Sequence, residues 1–274
     1  MEKWRSHIML SRPFWEDYRE RLLQLDGTTF PSAAELTRLL PPGLYGKGGK
    51  PIRFVPAGEL PAVEYEKHIF CTGEVSTREN NWHDLFNALA WSRLPSLKAA
   101  LNAAHFEELD SGGLGSRGKK RDALTLFDES GVIVISSNKN FLDALAEKNW
   151  KSAFVEYAAA WHDEIRVIVV GHALLEKFLR PYKSLTAHAL LLRMEDPPGE
   201  GQRKRQLPVI DELLAERILE GSILESPACL SPLPLMGIPG WWPGGEQDSK
   251  FYDDTEVFRP NGAASRAIAL LHLF

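Results

Sequence analysis

An arginine, a histidine, an aspartate and three asparagines crowd into the stretch Thr77-Arg78-Glu79-Asn80-Asn81-Trp82-His83-Asp84-Leu85-Phe86-Asn87-Ala88-Leu89-Ala90-Trp91. These residue types take up protons, hold anions and share ligands, and here they stand where one apolar helix begins. At about 100° per residue, Trp82, Leu85, Phe86, Leu89 and Ala90 form the buried stripe of that helix, and His83 and Asn87 fall together on its shoulder. In that position His83 can serve as a general base oriented by Asp84 or Asn87, while Arg78 holds an anion. The same residues also have a structural use. Asn80 or Asn81 caps the helix, Asp84 suits its amino-terminal dipole, and His83 hydrogen-bonds across the boundary between core and solvent.

Other groups join this set. A helix opening at Pro95 and running to about Leu109 carries Asn102 and His105 on the shoulder of its own apolar stripe, so the two helices, if paired, turn both histidines toward one cleft. His83, His105 and a nearby carboxylate have the composition of a divalent-metal site, although their spacing matches no particular metal signature. Gly171-His172-Ala173-Leu174-Leu175-Glu176 follows directly on the apolar run Val167-Ile168-Val169-Val170. The carboxyl end of a strand feeding a helix is a common ligand position, and His172 with Glu176 one turn later can act as acid and orienter. Arg121 and Asp122 are further candidates for contact with substrate. The stretch Gly113-Leu114-Gly115-Ser116-Arg117-Gly118-Lys119 begins like a phosphate-binding loop, but Lys120 stands where a hydroxyl must hold magnesium, and a helix precedes it where a strand is needed.

With 274 residues, 44% of them hydrophobic, the chain can bury a large core, and one domain over 1–274 is expected. A net charge of -5 disfavours a nucleic-acid partner and leaves a small molecule as the expected ligand. Arg117-Gly118-Lys119-Lys120-Arg121 and Arg203-Lys204-Arg205 are expected in solvated loops. No apolar run reaches the length of a membrane span, the first residues lack the apolar core of a signal peptide, and Cys71 and Cys229 form no metal or disulfide pattern, which together suggest a cytoplasmic protein. The sequence sets no oligomeric state.

Three parts are expected to position the candidate residues: a helical part to about 110, a mixed-sheet part from about 120 to 220, and a strap from about 230 to 260. In the first part a helix runs from Ser11 to Leu25, Ser32-Ala33-Ala34-Glu35 is a capping box, Pro51 to Val55 is extended, and a helix from Val63 is stopped by Gly73. In the second, Asp122 to Phe127 and Val132 to Ser136 read as a hairpin (122–136) around Asp128-Glu129-Ser130-Gly131. Helices near 139–148 and 151–162, strands near 166–170 and 187–192, and a helix from Pro208 to Leu219 complete an α+β fold, with a small mixed sheet flanked by many helices. The strap, rich in proline, glycine and tryptophan over 232–245, can be neither helix nor central strand. Its Trp241 either packs into the core or faces a ligand.

Several of these boxes occur together. The run Arg78 to Trp91 with Pro95, Lys98 and Asn102, then Arg121 to Gly131, Gly171 to Lys177, Pro232-Leu233-Pro234 through Trp242, and Phe251-Tyr252-Asp253-Asp254 to Pro260, resembles a bacterial family, domain of unknown function 3025. The resemblance spans roughly Pro51 to Pro260. It implies one undivided domain and brings no activity with it. The residues themselves favour an enzyme hydrolysing an anionic small molecule or phosphoester, with His83 as base and Arg78 and Arg121 on the anion. One alternative is a metal-dependent nuclease of the His-metal finger type; another is a binding module that works through the 232–245 strap.

Overall fold

The computed structural model describes residues 3–58, 64–110, 118–194, 203–260 and 271–272. Near the amino end, a tight turn at Pro13–Trp15 is followed by helix α1 (Arg19–Gln24), so the continuous helix expected from Ser11 is divided in two. Ser32 caps α2 (Ala33–Arg38) reciprocally with Glu35, as expected. Strand β1 (Arg53–Pro56) and helix α3 (Tyr65–Thr72) come next. Gly73 ends α3 with φ 75°, and a Cβ there would lie 2.2 Å from the Pro51 carbonyl oxygen, so this stop admits no side chain. The chain then returns as β2 (Glu74–Thr77), parallel to β1.

Helices α4 (Trp82–Arg93) and α5 (Pro95–Asp110) form the expected pair. Asp211, from a helix more than a hundred residues later, accepts the backbone N–H groups of Ser96 and Leu97 at 2.9 and 2.8 Å, satisfying donors that the first turn of α5 leaves unpaired.

The expected hairpin at 122–136 is overturned. Lys119–Ser130 is one helix, α6, and strand β3 (Gly131–Ser136) begins without a loop. Ala123, Leu124 and Phe127 fall on one helical face and are all fully buried, a period of about 3.6 where a period of two was read. Gly131 marks a close approach rather than a hairpin turn, because a Cβ there would meet the Phe127 carbonyl oxygen at 2.2 Å. Lys119, Lys120 and Arg121 therefore open a helix instead of lying in a loop. Residues 111–117, with most of the rejected phosphate-loop stretch, lie outside the described residues.

After α7 (Lys139–Ala146), the expected second helix is a π turn at Ser152–Glu156 and a single turn, α8 (Ala160–Asp163). Then come β4 (Ile165–Val169), α9 (His172–Lys177), β5 (Thr186–Arg193) and α10 (Arg203–Leu219), whose first residues are the Arg203-Lys204-Arg205 run expected in a loop. Strands β6 (Ser231–Pro234) and β7 (Leu271–His272) complete a five-stranded mixed sheet of order β4-β3-β5-β6, with β7 also paired to β5. The architecture is α+β.

Strand β3 runs antiparallel to β4 and parallel to β5. Val132 and Val134 join one core with Phe141, Phe178 and Leu191, while Ile133 and Ile135 join a second with Leu124, Leu190 and Leu214. Apolar layers on both faces explain why β3 is apolar without alternation. The strap lies along the sheet edge, where Pro232 and Pro234 cost little hydrogen bonding, and Trp241 is buried against Phe14 and Phe178. No helix among the described residues is long and apolar enough to cross a membrane.

Candidate functional site

Two close backbone contacts assemble the site. The N–H groups of Val170 and Gly171 both reach the Gly131 carbonyl oxygen, at 3.0 and 2.9 Å, so the start of α9 is docked on the end of α6. A Cβ at Gly171 would stand 2.5 Å from the Glu129 carbonyl oxygen and 2.6 Å from the Ser130 Cα, so glycine is what allows the approach. His172 is thereby set beside Asp128 and Glu129, and α4 packs across α9 to bring up His83.

The other end of the site is fixed at the start of α4. Asn80 takes φ 53°, Asn81 caps the helix by accepting the Asp84 N–H at 3.0 Å, and the Asp84 carboxylate accepts from the backbone N–H, Nε and Nη2 of Arg78. Asp84 is thus committed to Arg78, which turns its Nε and Nη2 to that carboxylate. The carboxylate beside the outer nitrogen of His83 is Glu176, 3.4 Å from Nδ1. The sequence pairs Glu176 with His172; Glu176 instead turns to the histidine facing it from α4.

At the centre, Nε2 of His83 and Nε2 of His172 are 3.0 Å apart. Glu129 Oε2 lies 3.6 Å from the same His172 nitrogen, and one ligating atom from each of the three residues falls within 4.8 Å of the others. On the far side of the His172 ring, Asp128 Oδ2 is 3.8 Å from Nδ1. Asp128 is itself held by the buried Lys98 ammonium at 2.5 Å, and that ammonium stands 5.8 Å from the Trp91 ring.

The cluster opens on a cavity of about 420 Å³ whose walls include Tyr65, Glu66, Asn87, Trp91, Lys98, Asn102 and His105. Asn102 donates to both the backbone oxygen and the carboxylate of Glu66, at 2.8 and 2.7 Å. Asn87 donates to the Tyr65 hydroxyl at 3.0 Å, and its buried Oδ1 receives no hydrogen bond from the described residues.

Burial sets the charges. Loss of water pushes Glu66 up to about 7, with the nearby Asp128 charge acting in the same direction. Burial would raise Asp128 too, but the Lys98 ammonium and the His172 ring outweigh it and bring the carboxyl down to about 2. Burial lowers His172 to about 3 and also lowers His105, so both rings are neutral near pH 7. Two neighbouring carboxyls driven to opposite states are the arrangement from which an acid and a base can be drawn.

Of the residues singled out from sequence, His83, Asp84, Asn87, Arg78, His105 and His172 all line this cavity. His105 lies on the cavity wall, while His83 has His172 and Glu129 as its cluster partners. Arg121 and Asp122 sit in the first turn of α6 outside the lining, although the Arg121 charge still acts on Glu66 and His105. Trp241 lines a different cleft, with Phe14, Asp17 and Arg166.

Asp128 and Glu129 were missed as site residues because they were read as a turn. A signal was present. Helix α6 begins with Lys119, Lys120 and Arg121 and ends with Asp128 and Glu129, the reverse of what its dipole favours at either end. Acids kept at a helix carboxyl terminus need another use.

The model of a family described as protein of unknown function (DUF3025) matches residues 52–262. The chain belongs to that family. No curated protein and no solved structure matches it. The DUF3025 match encloses every member of the cluster, from Tyr65 and His83 to Glu176, and the β3 core that carries them.

Proposed function

We propose that this DUF3025 chain is a hydrolase of a small polar molecule, with water activated at the His83–His172–Glu129 cluster. The observation that carries this reading is the 3.0 Å approach of the two imidazole nitrogens beside Glu129, on the wall of a cavity of about 420 Å³. The water loses a proton to solvent through the open face of the cluster, and its oxygen attacks the electrophilic carbon of the substrate. Glu66, raised to about 7 and so still partly protonated at neutral pH, donates a proton to the leaving group as the scissile bond breaks.

The charges of the lining argue for a neutral or cationic substrate over the anion suggested by sequence. Both cations among the described lining residues are already paired, Arg78 with Asp84 and Lys98 with Asp128, whereas the Asn87 carbonyl oxygen still offers acceptor capacity. The same pairing leaves a nuclease without a clamp for phosphate. A binding surface built on exposed tryptophan loses its main support, since Trp241 is buried.

The test is a panel of chromogenic esters and amides of neutral and cationic acids, with phosphate monoesters as the anionic comparison. Turnover of the neutral or cationic compounds that disappears in His83→Ala supports the reading. Preference for the phosphate esters, or turnover undiminished in His83→Ala, overturns it.

A further inference from the structure

We infer that His83, His172 and Glu129 form a binding site for one divalent transition-metal ion. The inference rests on the hydrolase reading of the same cavity and names the agent that activates its water.

Three observations converge. The first is spacing: metal–nitrogen and metal–oxygen bonds of about 2.1 Å place neighbouring ligand atoms roughly 3.0 to 3.4 Å apart in octahedral or tetrahedral sites. Here the two imidazole nitrogens are 3.0 Å apart, and the Glu129 oxygen is 3.6 Å from one of them. The His83 and Glu129 atoms lie within 4.8 Å of one another, a wider gap that a rotation of the half-exposed glutamate side chain must close.

The second is what stands behind each ring. A ligating histidine commonly turns its other nitrogen toward a carboxylate, which fixes the ring and strengthens it as a donor. Glu176 is 3.4 Å from the outer nitrogen of His83, and Asp128 is 3.8 Å from the outer nitrogen of His172. Both histidines thus have a carboxylate within 4 Å behind and the shared position in front; His172 Nδ1 is buried with no hydrogen-bond partner among the described residues, and Lys98 holds the Asp128 carboxylate facing it.

The third is accessibility and charge. His172 is buried while His83 and Glu129 are half-exposed, so the site has a closed wall and an open face on the cavity. Open coordination positions are what distinguish a catalytic ion from a structural one. Two neutral imidazoles and one carboxylate leave a divalent ion with a net positive charge, which polarises a scissile carbonyl and draws a proton from a bound water into bulk solvent. No change of oxidation state is involved.

The experiment is calorimetric titration of the full chain, freed of metal by dialysis against a chelator, with zinc chloride and separately with manganese chloride. The expected result is one ion per chain for at least one of the two metals. Glu129→Ala and His83→Ala should weaken binding at least tenfold, and Glu176→Gln should weaken it about 10- to 100-fold through the ring it supports. Cys71→Ser, which removes an exposed thiol, should leave binding unchanged. These variants carry the test if the buried His172→Ala fails to fold. Absence of one-to-one binding with both metals, or equal binding in Glu129→Ala and wild type, overturns the metal site. Metal-free protein that still hydrolyses its substrate, and loses that activity in His83→Ala, overturns the ion and leaves the hydrolase reading standing. Binding through these residues with no hydrolysis anywhere in the panel does the reverse.

Discussion

At the scale of single residues, the two carboxyls beside the cavity behave in opposite ways because their neighbours differ. Glu66 has an amide partner and is raised to about 7, above the 4.5 of an unperturbed glutamate. A folded state that holds a proton more tightly than the unfolded chain is favoured at low pH, so this contribution is fully present below about 4.5 and is lost as pH rises through 7. Replacing Glu66 with Gln should flatten that part of the curve of melting temperature against pH; an unchanged slope would show that Glu66 does not titrate there. Asp128, by contrast, is held charged by Lys98, whose side chain is 5% exposed. Lys98→Ala leaves that carboxylate buried without its partner and should lower stability by roughly 3 kcal/mol in urea unfolding. A loss below about 1 kcal/mol would mean that water replaces the ammonium.

At the scale of elements, the site depends on how α6, β3 and α9 meet. Gly171→Ala places a methyl group against the Glu129 and Gly131 backbone and should cost about 1 to 3 kcal/mol while displacing His172 from His83. A variant with wild-type stability and activity would contradict the docking described. Asp211→Ala uncaps α5 and should cost about 1 to 2 kcal/mol by thermal unfolding. The α4 and α5 helices were legible because proline, asparagine and an apolar stripe mark where they start and which face is buried. Helix α6 was not. Ala123, Leu124, Leu126 and Phe127 are too close together for their period to be plain, and Glu129-Ser130-Gly131 has the composition of a turn. Whether a glycine ends a hairpin or lets a strand press against the preceding helix depends on what packs there, which local sequence does not record.

At the scale of the molecule, a sheet covered on both faces supports one edge of a cavity whose lining is drawn from Ala57 through His172. His83 and His172 were each visible as polar residues at the start of an apolar helix, and their separation of 89 positions hid that they face one another. The missing third member, Glu129, followed from the misread helix. The pairing of Arg78 was hidden for a related reason: sequence shows a cation, but its partner Asp84 becomes evident once the turn at Asn80 and Asn81 closes. The most direct test of the cluster as the working centre compares kcat/KM for the best-hydrolysed compound between wild type and His83→Ala, with melting curves of both. The His83 ring is one-third exposed, so the melting temperature should stay within a few degrees while kcat/KM falls at least about 100-fold. Undiminished turnover in a folded His83→Ala protein would contradict the account.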